Sequence, residues 1–294
     1  MSGGIILNPG CESRCVFCGH CPKRNPIVQK WQFLKAAMNL SQFKRQGITD
    51  IEISGSDPIE HRNIIDTIKA IKRHGFSRIQ LSTHGRRLAN PNFASSIIDA
   101  GIDEFRIPIY GSTASIHDSV TRSEGSFDDV INGIKNAKSA KITLSSLIVR
   151  QNLKDLKNII DLAKSLKVDR FYFSIPCLAN DDPPDYYVPL KDLPKYLKSL
   201  YEYSKKSDFP VFFHEIPFCL FGALDRHIDN KCAPPKLGNF CQPPKRLRSN
   251  IKDLPSYRIK TKPDLCQRCK ASQYCDGFFK NDIDRFGTPD VKPL

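Results

Sequence analysis

The chain has 294 residues, of which 40% are hydrophobic and 26% are charged, and its net charge is +14. This length accommodates one large α/β domain with a small appendage, and this composition supports a sizeable core. No apolar run approaches the roughly 20 residues of a membrane span, and the N-terminus lacks the features of a signal peptide. The sequence therefore argues against a membrane protein and predicts a soluble, cytoplasmic one.

The positive charge favours anionic partners such as nucleic acid or phosphate-bearing substrates. Its densest segment is residues 245–262. Lysine-rich, solvated helix faces would produce the same net charge without any such partner. No alternation of aromatic and basic residues marks an RNA-binding sheet, so charge alone does not identify a partner.

Short apolar segments alternate with helical stretches along the first part of the chain. Ile51 and Ile53 show the period of two that is typical of strands, whereas Ile64, Ile68 and Ile71 recur at helical spacing. Strands are predicted at residues 4–8, 50–54, 78–82, 104–110, 142–149 and 170–175. Six strands alternating with helices predict an α/β fold, a partial (β/α)6 barrel with parallel pairing. In such folds the site lies at the carboxyl ends of the strands.

The character of the sequence changes after the sixth strand. Residues 1–178 form the predicted barrel, and 179–208 form a linking loop and helix. From residue 209 to 294 prolines and cysteines are frequent and periodicity is poor. A domain this small needs an additional stabilising element such as a disulfide or a structural metal. Metal bound by the cysteines would supply it. We therefore predict a small cysteine-rich C-terminal domain at 209–294.

Seven of the eleven cysteines fall into two groups, within residues 11–21 and 266–275. Clustered cysteines in a cytoplasmic chain more often bind metal or perform redox chemistry than form disulfides. Cys11, Cys15 and Cys18 directly follow the first strand. Three thiolates can hold three irons of a [4Fe–4S] cluster and leave the fourth iron open, as a catalytic metal requires. Ligation by Cys21 as well, in a closed cluster or a structural zinc site, is the alternative.

The spacing Cys-x3-Cys-x2-Cys, with the aromatic Phe17 before the last cysteine, resembles the signature of the radical S-adenosylmethionine (radical SAM) superfamily. The resemblance extends over about residues 4–178. It implies that the open iron chelates S-adenosylmethionine. One-electron reduction would then yield a 5′-deoxyadenosyl radical that abstracts hydrogen from a substrate. It also implies an electron donor such as flavodoxin or ferredoxin.

The same resemblance implies cofactor contacts after the second, third and fourth strands. Where the family has Gly-Gly-Glu-Pro, this chain has Gly-Ser-Asp-Pro, and Asp57 keeps a carboxylate for the cofactor ammonium group. Arg122 would pair with the cofactor carboxylate, while Pro108 stands where the family often has a serine. The predicted cofactor-binding residues are Gly55, Ser56, Asp57, Ser82, Thr83 and Arg122.

The second cysteine group has the spacing Cys-x2-Cys-x5-Cys, which resembles the SPASM and twitch domains that carry auxiliary clusters. The SPASM pattern continues with a cysteine where this chain has Phe279, and it needs seven cysteines where the chain has six from residue 219 onward. One auxiliary [4Fe–4S] cluster is therefore predicted, with a zinc knuckle as the alternative. The predicted ligands are Cys219, Cys266, Cys269 and Cys275, with Cys232 and Cys241 as alternatives to Cys219.

Three hypotheses of function follow. The first is a radical SAM enzyme acting on a peptide or small polar metabolite; because the first strand begins by about residue 4, any leader-binding module would be a separate protein. The second is a radical SAM enzyme that modifies RNA, and the third is a non-catalytic cysteine-metal binding protein. Cys177, after the sixth strand, is the candidate hydrogen donor to a substrate radical, as in the family's epimerases. A buried core cysteine is the competing interpretation, and Cys21 is a rival donor.

Overall fold

The computed structural model describes residues 2–7, 10–18, 39–178, 184–225, 227–229 and 259–294. Cys21, Cys232 and Cys241 lie outside the described residues, as do residues 245–258 of the basic segment. Within the described ranges, no helix combines the length and the apolar character that crossing a bilayer requires.

One sheet of eight parallel strands dominates the molecule, and each strand pairs with the next one along the chain. The six predicted strands are all present, and their parallel pairing is confirmed. Two short strands, of four and two residues, extend the sheet beyond the prediction, because segments this short do not show a period. The strands are β1 (Ser2–Leu7), β2 (Asp50–Gly55), β3 (Arg78–Ser82), β4 (Glu104–Pro108), β5 (Lys141–Leu147), β6 (Arg170–Ser174), β7 (Val211–His214) and β8 (Ile228–Asp229).

Helices connect the strands, as in the predicted partial barrel. Residues 39–45 are helical and precede β2. The other helices are α1 (Ile64–Arg73), α2 (Pro91–Asp99), α3 (Ala114–Thr121), α4 (Ser126–Asn136), α5 (Leu156–Ser165), α6 (Leu193–Lys206) and α7 (Lys280–Phe286). A separate antiparallel pair near the C-terminus consists of β9 (Lys260–Thr261) and β10 (Phe278–Phe279). The connections bring the carboxyl ends of the parallel strands to one edge of the sheet.

The core forms where the apolar faces of the strands pack against the apolar faces of the helices. Ile53 of β2 and Leu81 of β3 are fully buried on the same face of the sheet, and Ile68 and Ile71 of α1 are fully buried as well. Burying one such side chain contributes about 1.5–3 kcal/mol. Apolar side chains on one face of the strands and one face of the helices therefore form a common core that stabilises the sheet.

Helix α7 docks where β6 ends. The side-chain amide of Asn281 donates to the Leu178 carbonyl over 2.9 Å, and the ring of Phe286 stacks on Tyr187 with centroids 4.6 Å apart. Asp282 is fully buried at this contact, and its carboxylate makes no hydrogen bond of ordinary geometry among the described residues. Burial raises the pKa of Asp282 to about 7, which the neighbouring Tyr187 hydroxyl offsets only in part.

We expect Asp282→Asn to stabilise the protein in a pH-dependent manner. The carboxyl has a pKa of about 7 in the folded chain against 3.8 when exposed, so the folded state binds more protons between these values. Stability contributed by this group is therefore lost as the pH rises from about 4 to 7. The substitution should raise the free energy of unfolding by about 2–4 kcal/mol at pH 8 and change it little at pH 4.

Chemical denaturation at the two pH values measures this difference. Asp284→Asn is the matched control, because Asp284 lies on the same helix with its side chain 55% exposed. The control should shift stability little at either pH. An equal effect of Asp282→Asn at both pH values would contradict the assignment.

Candidate functional site

The loop after β1, residues 10–18, leaves the sheet at its carboxyl edge and is held by backbone hydrogen bonds. The N–H groups of Arg14 and Val16 each donate to a carbonyl at the end of α3 over 2.9 Å. The N–H of Cys18 donates to the Cys15 carbonyl over 2.9 Å, which closes a turn. Arg122 directly follows α3, is exposed, and adopts a left-handed backbone conformation with φ of 51°. The cysteine loop is thereby tied to the helix that ends beside it.

Three cysteines of this loop converge on Tyr110, which follows β4. Burial raises the pKa of the Tyr110 hydroxyl well above its ordinary value, and the neighbouring thiols of Cys15, Cys18 and Cys11 raise it further. The ring of Phe17 packs edge-on against Tyr110 with centroids 5.2 Å apart. The three thiols therefore all lie close enough to influence one buried hydroxyl.

A chain of polar contacts links Cys11 to the interior. The Thr83 hydroxyl donates to Asp57 Oδ1 over 2.6 Å. The other carboxylate oxygen lies 3.5 Å from His84 Nδ1, and the same nitrogen lies 3.2 Å from Cys11 Sγ. Burial raises the pKa of Asp57, which His84 and Thr83 oppose. A cofactor ammonium group at Asp57 would share the carboxylate with these two side chains.

The other residues predicted to bind the cofactor flank the same loop. The Ser56 hydroxyl donates to the Gly10 carbonyl over 2.9 Å and pins the loop to the end of β2. Gly55 has a φ of 149°, which favours glycine, so the chain can turn sharply after the strand. Ser82 ends β3 and is half-buried. The predicted residues thus lie near one another, and their contact with a cofactor stays a prediction.

A small pocket adjoins the cysteine loop. Burial lowers the pKa of His117 to about 4, and the neutral ring accepts a hydrogen bond at Nδ1 from the Tyr110 N–H over 3.1 Å. Arg86 is held by an ion pair of 2.9 Å with Asp129. The lining residues include Ser13, His84, Arg86, Pro108, Tyr110 and His117. His84, Arg86 and Tyr110 belong to no sequence motif, although each follows a strand at its carboxyl end.

Cys177 lies three residues beyond β6 and is half-buried. The next residue, Leu178, packs in a small cluster that also contains Cys15 and Val16 of the cysteine loop. Cys177 itself packs against the main core. The structure therefore places it at the same edge of the sheet as the loop, and its role as hydrogen donor stays a prediction.

The C-terminal cysteines line a second small pocket, together with Cys219. Burial raises the pKa of Cys219 to about 12, and the nearby thiols of Cys275, Cys266 and Cys269 raise it further. No three His, Cys, Asp or Glu side chains in the described part of the chain are spaced to hold a single metal ion. A four-iron cluster makes a different demand, because each thiolate binds a separate iron.

Known proteins resemble this chain in sequence. The family model for the Radical SAM superfamily matches residues 5–163. A protein of Metallosphaera sedula named "Probable GTP 3′,8-cyclase" is 28% identical over 171 residues, which are 57% of this chain and 53% of the relative. The GTP 3′,8-cyclase of Erythrobacter litoralis is 29% identical over 160 residues, 50% of this chain and 45% of the relative. The chain thus spans about half the length of these curated relatives.

Solved structures resemble it in fold. Native anSMEcpe with bound AdoMet and Cp18Cys peptide has a TM-score of 0.62 at 14% identity, covering 99% of this chain and 92% of that one. Streptococcus suis SuiB bound to S-adenosylmethionine has a TM-score of 0.61 at 12% identity, covering 99% and 76% respectively. At these identities the similarity confirms the α/β partial-barrel fold.

Proposed function

This chain belongs to the radical SAM superfamily, and on that premise we propose that it cleaves S-adenosylmethionine reductively at a [4Fe–4S] cluster held by Cys11, Cys15 and Cys18. When bound, the cluster supplies the electron that releases a 5′-deoxyadenosyl radical, and this radical abstracts hydrogen from the substrate. The observation that carries the proposal is that the three cysteines lie on one short loop at the carboxyl edge of the sheet, whose backbone is hydrogen-bonded to the end of α3. A flavodoxin or ferredoxin would supply the electron.

The residues around the loop have distinct proposed tasks. Ser56 and the backbone of Arg14 and Val16 hold the thiols in place. Asp57 would receive the cofactor ammonium group, and Arg122, beside the end of the loop, would pair with its carboxylate. Tyr110, which is only 7% exposed, would keep water from the buried Cys15, whereas Cys11 is half-buried and Cys18 is exposed. Such preorganised polar groups act most strongly where water is excluded.

The proposed substrate is a peptide or a small polar metabolite. A purine nucleoside triphosphate is the first metabolite to test, because two relatives carry the name GTP 3′,8-cyclase and a net charge of +14 attracts anions. A peptide is the other class, since SuiB with its precursor peptide SuiA is among the similar structures. An RNA substrate would reveal itself by an affinity that falls steeply with salt.

The first test of this function is removal of the three thiols. Reduced, anaerobically reconstituted protein should release 5′-deoxyadenosine from S-adenosylmethionine. The triple variant Cys11→Ala, Cys15→Ala, Cys18→Ala should lose this release entirely, because no ligands remain for the cluster. Chromatographic measurement of 5′-deoxyadenosine gives the readout. The variant should still retain about four irons at the C-terminal site, which controls for folding. Continued cleavage by the variant would disprove the proposal.

We further propose that Cys219, Cys266, Cys269 and Cys275 hold the auxiliary cluster. Changing the last three to Ala should lower the iron content from about eight to about four per chain, while S-adenosylmethionine still binds at the first site. Iron analysis and equilibrium binding measure the two effects. Cys177→Ala is the matched control and should keep about eight irons. Zinc in place of iron in anaerobically purified protein would support a zinc knuckle and contradict the cluster.

We propose that Cys177 gives its thiol hydrogen to a substrate carbon radical. The S–H bond breaks, a C–H bond forms, and the resulting thiyl radical is reduced by the electron donor and protonated by solvent. In deuterated water the wild-type product should therefore gain deuterium. Cys177→Ala should still release 5′-deoxyadenosine but lose the normal product. Mass spectrometry measures the deuterium content of the product and the products of the variant. An unchanged product from the variant would contradict the donor role and leave Cys177 as a packing residue.

A further inference from the structure

Asp118, in the last half of α3, accepts three hydrogen bonds from the beginning of α4. Its Oδ1 accepts the Ser126 hydroxyl over 2.7 Å and the Phe127 N–H over 2.9 Å, and its Oδ2 accepts the Gly125 N–H over 2.8 Å. Burial opposes ionisation of this carboxyl, but the hydrogen bonds outweigh burial and lower the pKa of Asp118. The carboxylate therefore joins the two helices across the short turn that carries Arg122.

The same turn is linked to the cysteine loop. The Ser126 hydroxyl gives its proton to the carboxylate, so its oxygen accepts the Thr121 hydroxyl over 2.7 Å. The Thr121 carbonyl in turn accepts the Arg14 N–H over 2.9 Å, and Arg14 belongs to the cysteine loop. Arg122 follows Thr121 directly, so its backbone begins where the loop is held.

The backbone of Arg122 needs such support. Its φ of 51° lies in the left-handed region, which a residue with a long side chain keeps only where the surrounding structure imposes it. Two contacts close the turn after it. Asp118 holds the Gly125 N–H at one end, and the Arg86 guanidinium donates to the Ser123 hydroxyl over 2.8 Å in the middle.

We infer that Asp118 is a positioning residue that fixes the turn of residues 122–125 and thereby presents Arg122 to the carboxylate of S-adenosylmethionine. An arginine on a fixed turn binds an anion without first losing conformational entropy. If the turn is loosened, the apparent Kd rises by the inverse of the fraction of molecules in the binding conformation. The inference rests on the contact of Arg122 with the cofactor that the proposed function includes.

A double-mutant cycle tests whether Asp118 acts through Arg122. Arg122→Ala should raise the Kd for S-adenosylmethionine about tenfold, because a charge-assisted hydrogen bond is lost. Asp118→Ala should raise it about threefold, as a turn that is correctly placed one third of the time requires. The double variant should bind no more weakly than Arg122→Ala alone, because nothing remains for Asp118 to position.

The measurement is equilibrium binding of S-adenosylmethionine to anaerobically reconstituted protein, with iron content determined in parallel. Asp128→Ala is the matched control, because it removes an exposed carboxylate from the first turn of the same helix, and it should leave the Kd unchanged. Asp118→Asn is the second variant. Its amide oxygen can still accept from Ser126 and Phe127, whereas its amide nitrogen cannot accept the Gly125 N–H. Its Kd should therefore lie between those of the wild type and Asp118→Ala.

Each outcome decides the inference. Equal affinities of Arg122→Ala and the double variant, both below that of Asp118→Ala, support it. Additive losses in the double variant overturn it, because Asp118 would then act independently of Arg122. Loss of iron from both Asp118 variants overturns it too, since the carboxylate would then hold the cysteine loop rather than the arginine.

The remaining outcomes separate the inference from the proposed function. Wild-type affinity in both Asp118 variants overturns the inference while the proposed function stands. Wild-type affinity after Arg122→Ala overturns the arginine contact and the inference with it. A wild type that releases no 5′-deoxyadenosine overturns the proposed function itself.

Discussion

Parallel pairing of consecutive strands brings the carboxyl end of each strand to the same edge of the sheet. The loop after β1 carries three cysteines there, the turn after β2 carries Asp57, and the turn after β3 carries Thr83 and His84. Residues separated by more than seventy positions, such as Cys11 and His84, come into contact because β1 and β3, which flank β2, end at the same edge of the sheet. The order and direction of the strands therefore bring the residues of the candidate site together.

Hydrogen bonds then fix the position of the cysteine loop at this edge of the sheet. The cysteine loop has no regular structure of its own, so its backbone groups find partners at the end of α3 and on Ser56. A buried polar group without a hydrogen-bond partner destabilises the folded state. The buried carboxylate of Asp57 accordingly accepts a hydrogen bond from the Thr83 hydroxyl and lies near His84. Rigid placement of polar groups around a charged centre is what electrostatic control of a reaction requires.

The C-terminal segment also packs near this edge of the sheet. β7 pairs with β6 and leads directly to Cys219, which shares a cavity with the three cysteines from the end of the chain. Helix α7 then returns to the barrel edge, where Asn281 meets Leu178 and Phe286 stacks on Tyr187. The two cysteine sites are therefore connected through short packed elements, and the burial of Asp282 is a cost of that docking.

The sequence by itself determined the six principal strands, their parallel order and the spacing of the two cysteine groups. The strands and the cysteine spacings are local features, since a period of two or a spacing of three residues is visible within a single segment. The parallel order follows from the alternation of strands with helices along the chain. Only the tertiary structure decided that His84 faces Cys11, that Tyr110 lies beside the three thiols, and that β7 extends the sheet. Such contacts join residues far apart in the chain. They depend on strand register and packing, which no single segment encodes.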